Sequence, residues 1–197
     1  MLRLAINGYG RIGRSVLRAL YESGLRSELQ VVAINELADA RTVLHLTRYD
    51  STHGRFPGTL EGDDRRLQVH GDTVTLLRHA AIEELPWGEL GVDIVLECSG
   101  AFSDRASAER HLHRGAGRVL FSQPAEADVD ATVVYGVNHQ ALRSSDRIVS
   151  AASCTTNAIV PVISALHQAV GIDSGTITTI HSAMNDQPVL DAYHHTD

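Results

Sequence analysis

The chain has few cysteines and no long apolar run, and both shortages limit what it can be. Only Cys98 and Cys154 occur among 197 residues, too few for the disulfide framework typical of small secreted domains. No apolar run approaches the ~20 residues that a membrane span requires. The N-terminus begins directly with a strand pattern rather than a signal peptide. We therefore expect a cytoplasmic protein with no membrane partner.

Positive charge is also scarce. Lys and Arg number 17 against 24 Asp and Glu, which gives a formal net charge of −7. This balance argues against nucleic acid or an anionic membrane as the partner. Two close histidine pairs, His111 with His113 and His194 with His195, lack the cysteine or carboxylate neighbours of a metal site. We expect both pairs to lie on the surface and no metal to be bound.

A glycine-rich turn follows the first predicted strand, which covers residues 2–7. Gly8, Gly10 and Gly13 form a G-x-G-x-x-G pattern, and a helical pattern with one apolar face covers residues 11–23. Glycines let the backbone approach a pyrophosphate, and the helix N-terminus supplies N–H donors. The turn therefore predicts a dinucleotide site, the alternative being a structural turn without a ligand.

An acidic residue stands at the matching distance downstream. Glu36 follows an apolar strand over residues 30–35, close to the ~20-residue spacing between the glycines and the acid of a dinucleotide-binding unit. A carboxylate at this point accepts hydrogen bonds from ribose hydroxyls and repels a ribose phosphate. NAD is therefore the predicted cofactor, in preference to NADP.

A second strand–turn–helix pattern surrounds Cys154. An apolar run ends at Ser150, small and hydroxylic residues follow, and helical spacing continues to about Val170. Cys154 then stands at a helix N-terminus, where backbone N–H groups and the helix dipole favour the thiolate. The alternative is a small buried residue that follows a turn by chance. Because the chain also carries a cofactor pattern, we favour a nucleophile.

The remaining periodicity predicts an α/β fold. Helices are predicted over residues 38–47 and 103–114, and strands over residues 67–70, 73–77, 93–98, 118–122, 132–135 and 148–150. Buried strands separated by helices indicate a Rossmann-type, doubly wound and mostly parallel sheet, with residues 49–80 as an irregular insertion. Ser99, Gly100 and Ser122 follow strand ends, which is the edge of such a sheet where ligands bind.

The last part of the chain predicts a second, unfinished domain. A strand rich in Thr and Ile is predicted over residues 174–180 and leads to His181, and the sequence stops in a polar region at Asp197. One helix and one strand do not make a domain. We therefore divide the chain into an NAD-binding domain (1–152) and the start of an incomplete α+β catalytic domain (153–197), and expect it to be the N-terminal portion of a longer protein.

Together these motifs resemble one family. Residues 5–14, residues 153–157 and His181 are similar to the phosphorylating aldehyde dehydrogenases of the glyceraldehyde-3-phosphate dehydrogenase type, and the resemblance extends over the whole chain. Residues 34–39 and 181–187 look like the branch that oxidises D-erythrose 4-phosphate in pyridoxal phosphate biosynthesis. The resemblance implies an NAD-dependent oxidoreductase that acts on a small sugar phosphate and assembles as a homotetramer.

The resemblance also implies roles for individual residues. Cys154 would be the nucleophile that carries a thioester, and His181 the base that activates it. The implied cofactor-binding residues are Asn7, Gly8, Gly10, Arg11, Ile12, Gly13, Glu36, Ser99, Gly100 and Ser122. The implied substrate-binding residues are Ser153, Thr155 and Asp186.

Three functions fit these residues. The first is oxidation of D-erythrose 4-phosphate to 4-phosphoerythronate. The second is glycolytic oxidation of glyceraldehyde 3-phosphate, from which Glu36 and Met184 distinguish this chain because the glycolytic enzyme usually has Asp and Thr there. The third is a fragment that binds NAD without catalysis, which the open end at Asp197 favours.

Overall fold

The computed structural model describes residues 1–182 of the chain, and this part contains eleven strands and four α-helices. The strands are β1 (Leu2–Asn7), β2 (Leu29–Asn35), β3 (Tyr49–Asp50), β4 (Gly54–Arg55), β5 (Leu60–Gly62), β6 (Arg66–Val69), β7 (Asp72–Leu77), β8 (Ile94–Glu97), β9 (Arg118–Phe121), β10 (Ala131–Thr132) and β11 (Ile148–Ser150). The helices are α1 (Arg11–Glu22), α2 (Ala40–Arg48), α3 (Arg105–His113) and α4 (Cys154–Val170).

Nine strands form one sheet in the order β10-β11-β9-β8-β1-β2-β7-β6-β5. All pairs from β10 to β7 are parallel, whereas β6 pairs antiparallel with both β7 and β5. From β1 the chain builds the sheet outward through β2 and β7, and it then returns to the other side of β1 with β8. This arrangement confirms the predicted Rossmann-type fold, with its change of direction between β1 and β8.

The sheet is covered on both faces, because alternate residues of β1 pack into different cores. Leu4 and Ile6 belong to a cluster with Leu17 of α1, whereas Ala5 belongs to a cluster with Trp87, against which Leu112 of α3 packs. Side chains alternate between the faces of a strand, so α1 and α3 lie on opposite sides of the sheet. This doubly wound layering explains the continuous apolar runs of the central strands.

The interpretation of residues 49–80 as an irregular insertion is partly wrong. β7 pairs in parallel with β2 and therefore belongs to the main sheet, while β5 and β6 extend its edge. The strand predicted over residues 132–135 is also wrong beyond its first residue, since β10 ends at Thr132. The Asn138 side chain accepts a hydrogen bond from the N–H of Val134 and donates to the carbonyl of Thr132, which turns the chain away from the sheet.

The predicted helix after Cys154 is confirmed, with its first and last residues at Cys154 and Val170. In contrast, residues 174–180 do not form the predicted strand: no strand is assigned there, and Ile177 and Ile180 are 60% and 98% exposed. Thr and Ile favour strands only where a neighbouring strand supplies pairing and packing. Within residues 1–182, none of the helices has the length and apolar character needed to cross a membrane.

One histidine contradicts the expected surface placement. His113 is exposed as predicted, but His111 is fully buried. Both ring nitrogens of His111 have partners inside the protein, Trp87 on one side and Glu97 on the other. The predictions for His194 and His195 lie outside the described residues.

Candidate active site

The glycine-rich turn between β1 and α1 places a backbone, not side chains, at the sheet edge. Gly8 has φ +87°, and a Cβ there would lie only 2.3 Å from the Cα of Ser99. At Gly10, the N-cap of α1, a Cβ would meet no atom within 4 Å. The two glycines therefore serve different purposes, since Gly8 packs against the next turn and Gly10 leaves the helix N-terminus open.

Glu36 is held against the glycine turn by two backbone groups. Its carboxylate accepts hydrogen bonds from the N–H of Tyr9 at 2.8 Å and from the N–H of Ala38 at 3.2 Å. These contacts fix the carboxylate just beyond β2, with lone pairs left over, since an ionised carboxylate has about four acceptor sites. This geometry suits an acceptor for vicinal ribose hydroxyls.

An open cavity of about 330 Å³ lies at the carboxyl ends of β1, β2 and β8, within the usual size of a ligand site. Five predicted cofactor residues share it. Its lining consists of Asn7, Gly8, Gly10, Asn35, Glu36, Leu37, His79, Ala80, Cys98, Ser99, Ala101 and Phe102. The open N-terminus of α1 and the carboxylate of Glu36 at one cavity fit the phosphates and the ribose of a dinucleotide.

The other predicted cofactor residues surround this cavity in different ways. Arg11 and Ile12 begin α1, where Arg11 donates to the hydroxyl of Thr52 and Ile12 is half exposed. Gly13 is buried, and a Cβ there would lie 2.4 Å from the carbonyl oxygen of Gly8. Gly13 therefore serves the packing of the helix on the strand. Gly100 has φ +75° in the turn after β8.

Ser122 hydrogen-bonds to the thiol of Cys98 at the carboxyl ends of β8 and β9. Burial dominates at Cys98 and raises the pKa of its thiol to about 11. Cys98 is therefore a protonated, unreactive lining residue at neutral pH.

Cys154 and His181 face one another at the start of α4. The Sγ atom of Cys154 lies 3.3 Å from Nε2 of His181, and the thiol is exposed. The hydrogen bond with His181, helped by Thr155, lowers the pKa of Cys154 below its ordinary value. The thiol thus has a base within reach and a helix N-terminus behind it, two conditions that activate a cysteine.

The chain itself sets the tautomer of His181. Nδ1 lies 2.6 Å from the carbonyl oxygen of Ser182, and because a carbonyl only accepts hydrogen bonds, Nδ1 must carry a proton. In the neutral ring Nε2 then holds the lone pair, and that atom faces Cys154. His181 is therefore oriented to take the thiol proton.

The turn before α4 combines an unusual backbone conformation with side-chain caps. Ala152 has φ +61°, an unusual left-handed conformation for a residue with a Cβ. The hydroxyl of Ser153 caps α4 by accepting from the N–H of Thr156, and Asn157 donates to the carbonyls of Ala151 and Ser153. Ser153, predicted to bind substrate, is thus engaged in shaping the turn. The predicted substrate residue Asp186 lies outside the described residues.

Sequence reasoning missed several residues of the cavity and its floor. Asn35 and His79 exchange two hydrogen bonds of 2.9 Å that close the cavity beside β2. Glu97 lies directly beneath it and hydrogen-bonds to Asn7. Both Asn35 and Glu97 end a buried strand, so a polar residue closing an apolar run was the signal available in the sequence.

Two family models match the chain. The model described as "Glyceraldehyde 3-phosphate dehydrogenase, NAD binding domain" matches residues 2–105. The model described as "Glyceraldehyde 3-phosphate dehydrogenase, C-terminal domain" matches residues 153–197. The first match identifies an NAD-binding domain and confirms the predicted cofactor.

Proposed function

Since the chain belongs to the glyceraldehyde-3-phosphate dehydrogenase family, we propose that it oxidises the aldehyde of a sugar phosphate through a thioester on Cys154. The observation that carries this proposal is the contact of 3.3 Å between Sγ of Cys154 and Nε2 of His181. A thiol and an oriented imidazole at a helix N-terminus form the nucleophile–base pair that covalent catalysis requires.

The reaction begins with transfer of the Cys154 proton to Nε2 of His181. The thiolate attacks the aldehyde carbon and forms a thiohemiacetal, whose oxyanion is stabilised by the backbone N–H of Cys154 and by protonated His181. NAD, when bound, supplies the acceptor for the hydride that leaves this carbon. The product on Cys154 is a thioester, which water or inorganic phosphate then cleaves.

The cavity beside β1 is the proposed NAD site. The backbone at Gly10 and in the first turn of α1 would face the pyrophosphate, and Glu36 would accept from the ribose hydroxyls. Ser99, Gly100 and Ser122 would lie towards the nicotinamide. We also propose that Thr155 and Asp186 contact the substrate, with Ser153 supporting them as the helix cap.

We propose D-erythrose 4-phosphate as the substrate, in the synthesis of pyridoxal phosphate, because Glu36 and Met184 follow that branch of the family. Glyceraldehyde 3-phosphate with inorganic phosphate is the second candidate, and the names of both matching family models favour it. Family members generally form oligomers, and we propose a homotetramer. A cytoplasmic location is proposed from the two cysteines, which are both free thiols.

Formation of NADH with each sugar phosphate, with and without inorganic phosphate, tests this proposal. Preference for erythrose 4-phosphate without added phosphate supports the first substrate, and phosphate-dependent oxidation of the triose supports the second. Cys154→Ser should abolish NADH formation, by at least about 10³-fold, because an unactivated hydroxyl cannot replace the thiolate. Binding of NAD by Cys154→Ser is the control, and persistent dehydrogenation by this variant would refute the mechanism.

A further inference from the structure

A buried carboxylate lies directly under the proposed NAD cavity and is not explained by the mechanism. Glu97 ends β8 and is fully buried. One carboxylate oxygen accepts from Asn7 Nδ2 at 2.6 Å and from His111 Nε2 at 3.1 Å. The other accepts from the backbone N–H and the hydroxyl of Ser99. Glu97 therefore gathers four donors from three separate elements of the fold.

Trp87 determines the direction of the hydrogen bonds on one side of Glu97. Its indole N–H, which can only donate, lies 2.9 Å from Nδ1 of His111. Nδ1 must then hold a lone pair, so the proton of His111 is on Nε2 and points at Glu97. Trp87 thus selects a neutral tautomer of a buried histidine, and this tautomer donates to the carboxylate.

His79 determines the direction on the other side. Its backbone N–H donates to Oδ1 of Asn35, and Nδ2 of Asn35 donates to the carbonyl of His79. Nδ2 of Asn35 also donates to Oδ1 of Asn7 at 2.8 Å. Asn7 is therefore oriented with its amide nitrogen towards Glu97. Donors run inward from both ends of the network and meet at the carboxylate.

The network connects the deep core to the cavity surface. Asn7, Asn35 and Ser99 line the cavity, whereas Trp87 and His111 are fully buried behind it. Burying a carboxylate and a histidine costs free energy that an apolar pair would not. The hydrogen bonds that Glu97 accepts from the cavity residues Asn7 and Ser99 give a reason for this cost in free energy.

We propose that Glu97, His111 and Trp87 are positioning residues that fix Asn7 and Ser99 at the floor of the cavity and thereby set its affinity for NAD without touching the cofactor. The proposal rests on the assignment of this cavity to NAD. The proposal requires a fixed direction for each hydrogen bond around Glu97. Both carboxylate oxygens of Glu97 must act as acceptors, and His111 must carry its proton on Nε2.

Glu97→Gln tests this requirement while keeping the shape of the side chain. Either orientation of the new amide places an NH2 group against donors, His111 and Asn7 on one side or the N–H of Ser99 on the other. We expect the dissociation constant for NAD to rise about tenfold or more. The matched control is Glu109→Gln, which makes the same change on an exposed residue of α3 and should bind NAD like the unaltered chain.

Trp87→Phe provides an independent test. It removes the donor to Nδ1 of His111 while keeping an aromatic ring, so Trp87 no longer holds the ring of His111 in place or keeps the lone pair on Nδ1. With Glu97 intact, Nε2 still donates to the carboxylate. We expect weaker NAD binding in this variant. In the double variant with Glu97→Gln, the released histidine accepts from the new amide, so the combined loss of affinity should be smaller than the product of the two single losses.

The experiment measures NAD binding to the full chain and its variants by calorimetry, together with ¹⁵N NMR of the histidine rings and near-ultraviolet circular dichroism. The unaltered chain should show His111 with Nε2 protonated and Nδ1 not. Absence of NAD binding by the unaltered chain would refute the cavity assignment. The positioning role would be refuted by normal NAD binding to folded Glu97→Gln. It would also be refuted if the NMR spectra showed His111 protonated on Nδ1 instead of Nε2, or if the loss of NAD affinity in the double variant equalled the product of the two single losses. If Glu97→Gln does not fold, unchanged binding by Trp87→Phe refutes the role and weakened binding supports it.

Discussion

Two strand-to-helix turns lie at the carboxyl edge of the sheet, and they present their helix N-termini differently. The turn from β1 to α1 is built from glycine, and its N-cap Gly10 brings no side chain to the helix end. The turn from β11 to α4 has Ser153 as a side-chain cap and an exposed Cys154 directly after it. The N-terminus of α1 suits an anion that approaches the backbone, and the N-terminus of α4 suits a thiolate carried by the chain itself.

The supports of the two turns also differ. α1 is anchored by buried residues that include Leu17 and Leu20, whereas α4 has no buried residue within the described part of the chain. The β11–α4 turn is held mainly by local hydrogen bonds from Ser153 and Asn157. Similar backbone paths therefore depend on core packing in one case and on capping in the other. Three substitutions sharpen this contrast.

The largest effect is expected for Gly8→Ala in the first turn. The positive φ and the contact of 2.3 Å with Ser99 together should lower the free energy of unfolding by about 3 kcal/mol. Urea denaturation measures this loss. Gly10→Ala is the matched variant: with no atom within 4 Å of the new Cβ, stability should remain within about 0.5 kcal/mol, while NAD binding weakens. Equal stability of the two variants would contradict the distinction between the glycines.

A smaller effect, on reactivity, is expected for His181→Asn, which removes the histidine that contacts Cys154 at the second turn. The hydrogen bond with His181 lowers the pKa of Cys154, so its loss should move the alkylation profile to higher pH. At pH 7 the rate should fall on the order of tenfold, since the thiolate is the reactive form. Iodoacetamide alkylation followed across the pH range measures the shift.

His113→Asn is the control for this measurement, because His113 is an exposed histidine on α3. Its alkylation profile should match that of the unaltered chain. Cys98, with a pKa of about 11, should remain unlabelled in the folded protein. A profile of His181→Asn that coincides with the control would show that the histidine does not activate the thiol.

The smallest effect is expected for Ser153→Ala, which removes the cap of α4. Loss of a serine cap costs about 1 kcal/mol. Because α4 has no buried residue among those described, this cost should appear as faster amide exchange in its first turn rather than as lower global stability. Asp39→Ala removes the equivalent cap of α2, where Val43 and Thr47 are buried, and there global stability should fall. A global loss for Ser153→Ala would show that α4 is anchored elsewhere.

Local patterns predicted the elements whose signals lie within a few residues. Each of these signals is short-range. The glycine turn after β1 follows from the close approach of a phosphate to the backbone, the acid after β2 from its spacing to the glycines, and the start of α4 at Cys154 from helix capping. The predicted strand over residues 174–180 failed because strand formation requires a partner that local propensity does not supply. The roles predicted for individual site residues stay predictions, as does the domain boundary at residue 152.

The sequence by itself determined the fold class, the cofactor and the positions of the candidate nucleophile and its base, because each is encoded in a contiguous segment. Only the tertiary structure decided which buried residues support the cofactor cavity. His111 is separated from Glu97 by 14 residues and from Trp87 by 24, and Asn7 from Glu97 by 90. Such contacts depend on how the strands are ordered in the sheet. Because buried polar groups need hydrogen-bond partners, the fold brings these distant residues together, and no local sequence pattern predicts which residues will pair.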